Sequence, residues 1–306
     1  MKRFLILTGA FVLASPLFAE RITHEAPAVA FGPPATVGDM LASRPAPRAL
    51  GAFPTQSYSF NPSLLVTVVI NAAGRNGTFF RTDYFLINGR GATQEILVGF
   101  LAAGVTNAGQ PAQRFALNAS TAYAVDDYLG TGTGRLNKSG VGSLLIIGVF
   151  AGTNTPDGNA LLYGSARIWT NEPSSTGTNS FSTWALAPGT IHGDVNAISV
   201  GGRQNADFRS NYGIVNLDAS TRSFTVIITS GGVNTTLSVN VPAVSMVQLA
   251  FPTTLPTGGN GYVVVQFFPN DNADYQWNAF VTTADNLTGD AYLSPSAVYP
   301  SSVFDY

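Results

Sequence analysis

At 306 residues the chain has room for two ordinary domains, and its charged residues make up only 10% of the total, against roughly 25% in an average soluble protein. With 15 basic residues against 17 acidic ones, a formal net charge of −2, it lacks the clustered Lys and Arg that phosphate binding needs, which excludes a nucleic-acid surface. The absence of cysteine excludes disulfides, thiolate-held zinc and a lipidated cysteine. What remains is 45% hydrophobic, with 32 Gly and 18 Pro between short Val, Ile, Phe, Tyr and Thr runs, an all-β profile.

Met1 to Ala19 opens with Lys2 and Arg3, continues with an apolar run from Phe4 to Leu13 and ends in Leu17-Phe18-Ala19. It reads as a secretory signal peptide cleaved after Ala19, and the run is too short to span a bilayer. The expected address is secreted or periplasmic, with no membrane span after cleavage. Residues 20–62 are rich in Pro and Ala and read as a tether, with a helical turn or two expected at Thr36 to Ser43.

The stretch GRNGTFFRTDYFLIN from Gly74 to Asn88 returns as GGRQNADFRSNYGIVN at Gly201 to Asn216. Phe80, Arg81, Tyr84 and Asn88 fall on Phe208, Arg209, Tyr212 and Asn216, and Ile96, Val98 and Phe100 fall on Phe224, Val226 and Ile228 at the same spacing. Two tandem copies of one β-rich unit follow, over 63–190 and 191–306. The first copy opens with SLLVTVVIN and continues with FFRTDYFLIN and the run Glu95 to Leu101, expected to pair as a hairpin across Gly89 to Ala92. Alternating strands in QRFALNASTAYAVDDYL, the fully apolar SLLIIGVF and LLYGSARIWT complete it, with turns at the spacing of an antiparallel sandwich. Ala185-Leu186-Ala187-Pro188 aligns with Ala297-Val298-Tyr299-Pro300, Gly189 to Asp194 forms a short joint, and the two sandwiches are expected to pack end to end.

Chemistry is sparse. The loop GTGTGRLNKSG (Gly130 to Gly140) has Asn137 where a phosphate loop needs glycine, and it runs into a strand instead of a helix. The two histidines are His24, in the tether, and His192, in the joint, and no G-x-S-x-G elbow occurs, so no catalytic residue is assigned. Asp126 and Asp127 are expected on a strand with their side chains on opposite faces. Asn270 to Asp274 and Asp285 to Asp290 (DNLTGD) have a calcium-like content without the calcium-loop pattern; both read as polar turns, with no metal or cofactor assigned. Arg81 and Arg209 are polar members of apolar strands, readable as ligand-gripping guanidiniums or as clamps on a carboxylate or loop carbonyls, and the clamp is favoured. Trp169 and Trp277 are expected in the cores, each with its indole N–H satisfied, and Trp184, after a polar loop, is expected exposed.

The pattern GR-x(4)-FR[TS][DN]Y-x(3)-N together with DNLTGD resembles uncharacterised secreted bacterial proteins built from tandem Ig-like β-sandwich repeats. The resemblance covers most of residues 64–300 and implies a fold and an address, with no site residues. Composition and resemblance together give the expectation of a non-enzymatic exported structural or adhesive module of the cell envelope. It would act by self-association or on a cell-surface glycan; the alternative is a carbohydrate-binding accessory module using exposed aromatics such as Trp184.

Overall fold

A computed structural model describes residues 30, 32–42, 60–75, 77–171, 177–186, 188, 195–255, 261–271, 273 and 275–300. The expected signal peptide, most of the expected tether, both histidines and the joint at 189–194 lie outside the described residues.

The chain is all-β and antiparallel. Its first half holds β1 (Ser63–Ala73), β2 (Phe79–Asn88), β3 (Gln94–Ala102), β4 (Gln113–Leu117), β5 (Ala122–Val125), β6 (Gly140–Val149), β7 (Leu162–Asn171) and β8 (Thr178–Trp184). The second holds β9 (Val195–Arg203), β10 (Phe208–Asn216), β11 (Arg222–Ser230), β12 (Val233–Val241), β13 (Ser245–Ala250), β14 (Tyr262–Pro269), β15 (Trp277–Asp285), β16 (Ala291–Pro295) and β17 (Ala297–Pro300). In the first half the strand order β4-β3-β6-β1 continues through a two-residue pairing of β1 with β2 into β2-β7-β8, with β5 on the other side of β2. The second half repeats this as β12-β11-β14-β9-β17 and β13-β10-β15-β16. Sheet faces on sheet in each half, around cores centred on Tyr84, Ile96, Val98 and Ile146 in one and on Tyr212, Phe224, Val226 and Trp277 in the other.

The repeated stretch holds each corner. Asn88 is fully buried, and its Nδ2 donates to the carbonyls of Ala92 (2.9 Å), Leu117 (3.2 Å) and Asn118 (2.9 Å), while its Oδ1 accepts the Arg90 N–H (3.0 Å). Asn216 does the same for Ser220, Val241 and Pro242 and for Asp218 N–H. Six positions earlier, the Thr82 hydroxyl accepts Ile70 N–H and donates to Ile70 C=O, and Ser210 makes both bonds to Arg203. One side chain thus satisfies Ile70 of β1, or Arg203 of β9, on the edge turned away from its ladder partner Val141, or Tyr262.

Three expectations change. β2 and β3 do not form a hairpin: β2 pairs with β5 and β7, β3 with β4 and β6, so the chain crosses between sheets at the corner that Asn88 holds. Asp126 and Asp127 sit in the turn after β5. The match of 185–188 to 297–300 is one residue out of step, because Leu186 pairs with Leu65 where Ala297 pairs with Ile198, and one residue of slip would reverse every side chain.

The halves do not meet end to end. β10 and β15 carry apolar side chains on their outer face as well, and Val215, Leu217, Val244, Met246 and Phe280 join the core cluster of the first half. They cover the outer face of β3 and β6, where Leu97, Gly99, Leu101, Leu145 and Ile147 are apolar and the buried Ser143 hydroxyl donates to the Thr67 carbonyl, which explains the apolar run from Leu144 to Val149 in β6. At the positions of Leu97, Gly99 and Leu101, β11 has Thr225, Ile227 and Thr229, and it alternates as a strand with one open face should. Gly104 N–H to Met246 C=O (2.8 Å) and Asn107 Nδ2 to Val244 C=O (3.1 Å) close the contact. A Cβ on Gly213 would lie 2.1 Å from the Phe280 ring, so that glycine is what lets Phe280 lie flat in the interface. The helix α1 (Val37–Ala42) covers the remainder: Thr36 and Asp39 cap it reciprocally, and Val37 and Met40 pack on Gly99. This part of the expected tether is therefore packed on the fold.

Replacing Asn88 or Asn216 by Ala leaves buried carbonyls without donors, and each substitution is expected to lower stability by about 3 kcal/mol in urea unfolding. A loss under about 0.5 kcal/mol, the range of ordinary surface changes, would show that the corners are held otherwise.

Candidate functional site

The two halves present equivalent faces to different surroundings. The outer face of β13-β10-β15-β16 is docked on the first half, whereas the equivalent outer face of β5-β2-β7-β8 is open. Strand β7 alternates strictly, with Leu162, Gly164, Ala166, Ile168 and Thr170 inward and Tyr163, Ser165, Arg167 and Trp169 outward. Trp169 is thus half-buried on the outer face and not in the core. Its place beside Arg167, out of phase with Ile168, was the signal in the sequence. Trp277 is in its core, 1% exposed, but its indole N–H has no hydrogen-bond partner among the described residues.

Two side-chain groups occupy the open face. In the first, Asp83 is buried and accepts from Trp169 Nε1 (2.7 Å) and Asp127 N–H (3.0 Å), with Arg167 Nη1 at 3.6 Å. Arg81 lies over the rings of Phe79 and Trp169, 5.0 and 5.2 Å from their centroids. Among the described residues the guanidinium makes no ion pair, and cation–π stacking stands in place of the expected carboxylate clamp. In the second group Trp184, 46% exposed, packs 5.7 Å from Tyr163, which packs 5.8 Å from Phe60. Phe85 on β2, also exposed, adds a fourth ring to the same face. Strand register holds three of them, with Trp184 and Phe85 both opposite Ser165 and Tyr163 opposite Ile87, while Phe60 lies against Gly89. At the place of Phe85 and Ser165 the docked face has Gly213 and Phe280, so large and small have changed sides.

The structure does not bring Arg81 and Arg209 together. Arg209 lies where the two halves meet, with Nη1 donating to Asn286 Oδ1 (2.9 Å) and the Asp285 carbonyl (3.4 Å), which is the expected clamp on loop acceptors. The DNLTGD segment is the β15–β16 turn: Asp285 Oδ1 accepts Thr288 and Leu287 N–H at 2.7 Å each, which holds its carboxyl below the usual carboxylate range. Asp271 pairs with Arg222 (3.0 Å), while Asn272 and Asp274 lie outside the described residues. The loop from Gly130 to Gly140 folds back on β5 and its turn, with Tyr123 donating to Gly134 C=O and Leu136 N–H to Tyr128 C=O.

No family model matches the chain, and no curated protein matches it. Among solved structures a lectin from Pleurotus ostreatus, in complex with GalNAc, is similar over 83% of this chain and 87% of that one, at 12% identity and a TM-score of 0.12. A likeness of that size carries no argument about fold or ligand.

The three tryptophans differ enough in exposure to be told apart in solution. Iodide should quench wild-type fluorescence in part, and Trp184→Phe should remove most of the quenchable component while leaving the unfolding midpoint in place. Equal quenching in Trp184→Phe and wild type would show that the ring is covered.

Proposed function

We propose that the protein is an exported, non-catalytic binding module made of two copies of one Ig-like sandwich, and that it attaches to surface carbohydrate through the open face of β5-β2-β7-β8. The observation that carries this reading is the row of exposed Phe60, half-buried Tyr163 and exposed Trp184 on a face whose counterpart in the second half is docked. The apolar C–H faces of sugar rings stack on such surfaces, while Ser165, Ser182 and Arg167 offer hydroxyl and guanidinium partners. Tyr and Trp also lose little conformational entropy on contact, which suits a rigid sheet used for weak, repeated attachment. The signal-like segment Met1 to Ala19 and the low charge of the surface agree with work outside the cytoplasm.

The reading is tested by calorimetric titration with neutral oligosaccharides of xylose, glucose and N-acetylglucosamine. At least one series should bind, and Trp184→Ala should weaken it by about tenfold, or 1.4 kcal/mol, without loss of stability. Failure of every series at millimolar concentration, or an unchanged affinity in Trp184→Ala, would overturn it.

A second reading, assembly of copies, is favoured by β12, a nine-residue strand at the end of its sheet with no charged side chain. Such an edge invites pairing with another chain. Here Thr236→Lys is expected to abolish concentration-dependent oligomers in light scattering; a monomer at every concentration in the wild type would remove this reading.

A further inference from the structure

Where the halves meet beside their apolar contact there is a cleft of about 710 Å³. That volume falls within the roughly 300–1,000 Å³ of small-molecule sites. Among the described residues its charged lining consists of Arg75, from the turn after β1, and Arg209, from β10, with no Asp or Glu, although the chain as a whole carries a net charge of −2. We propose that this cleft binds an anionic sugar unit, bearing a carboxylate or a sulfate, between Arg75 and Arg209.

Four features carry the assignment. First, both guanidiniums have donors to give. Arg209 uses Nη1 on two neutral acceptors, its remaining nitrogens have no partner among the described residues, and the Arg75 side chain has none there either. Burial, and then the nearby Arg75, lower the Arg209 pKa from its usual value, and the Asp285 carboxylate offsets only part of this. Second, the residue next but one to Arg209 has lost its charge. Asp83 in the first half is a carboxylate, while its counterpart Asn211 faces the cleft with an amide that has no partner among the described residues. Third, Gln248 and Thr282, bonded to each other at 3.0 Å, put further neutral polar groups on the wall, suited to hydroxyls more than to a bare ion. Fourth, Ile70 and Val141 form an apolar side against which a ring can lie. An arginine fork matches a carboxylate or sulfate in two parallel hydrogen bonds, and a partly enclosed cleft strengthens them relative to water. The site is separate from the aromatic face, and its failure would leave the reading of that face untouched.

The test is calorimetric titration of the intact chain with tri-galacturonate, its neutral counterpart tri-galactose, and a sulfated trisaccharide. The acidic ligand should bind at least about tenfold more tightly than the neutral one and lose affinity as salt rises. Arg75→Ala, at an exposed turn, and Asn211→Asp, which restores the carboxylate, should each reduce the affinity by about tenfold, whereas Trp184→Ala should not change it. Binding of tri-galacturonate alone assigns the carboxylate, and binding of the sulfated sugar alone assigns the sulfate; either supports the site. No binding of either anion, equal binding of the neutral sugar, or wild-type affinity in both Arg75→Ala and Asn211→Asp would overturn it. So would loss of anion binding in Trp184→Ala, which would place the ligand on the aromatic face.

Discussion

Each half of this protein turns on one buried amide. Asn88 and Asn216 sit at the end of the strand that leaves one sheet for the other, and each gathers three carbonyls and one N–H from segments that no ladder can serve. A buried carbonyl without a donor costs about 1–3 kcal/mol, so the corner cannot exist without something in this place. Around it the ion pairs change but the position does not. Arg90 meets Asp157 and Gln94 in the first half, and Arg222 lies between Asp218 and Asp271 in the second. The hydroxyls of Thr82 and Ser210 complete the frame, so Thr and Ser serve equally at that position.

From that frame follows a stack of four sheets in which the middle two are covered on both sides. The inner contact joins unlike faces: the outer face of β10 and β15 meets the outer face of β3 and β6. Unlike faces in contact leave one of each kind free at the ends, and a contact of this sort would propagate from chain to chain if the free faces kept the same side chains. They did not. The free counterpart of the apolar β3 face has Thr225 and Thr229, and the free counterpart of the Gly213–Phe280 face has Phe85, Tyr163 and Trp184 with Arg81, Asp83 and Arg167. Phe85, Tyr163 and Trp184 therefore stand on a face that the other half does not cover.

Much of this was legible in the sequence, for physical reasons. The period of two and the turn residues gave the strands, and a polar loop before Trp184 gave its exposure. The unbroken apolar run of β6 already meant a sheet covered on both faces, but not by what, since Met246, Val215 and Phe280 lie far along the chain. Strand partners were hidden for the same reason: a hairpin between β2 and β3 and a sheet change at Asn88 look alike locally. Trp169 lies outside the core because the period of two, and not residue type, decides which face of β7 it takes. Arg75 and the cleft could not be found at all, because they exist only where the halves meet.

The most direct test of this arrangement is a brief hydroxyl-radical exposure of the intact protein, read residue by residue by mass spectrometry. Trp184, Tyr163 and Phe85 should be modified readily, and Met246 and Phe280 should stay protected despite the intrinsic reactivity of methionine. Oxidation of Met246 as fast as that of a solvent-exposed methionine would mean that the two halves do not dock as described, and that neither face has the role given to it here.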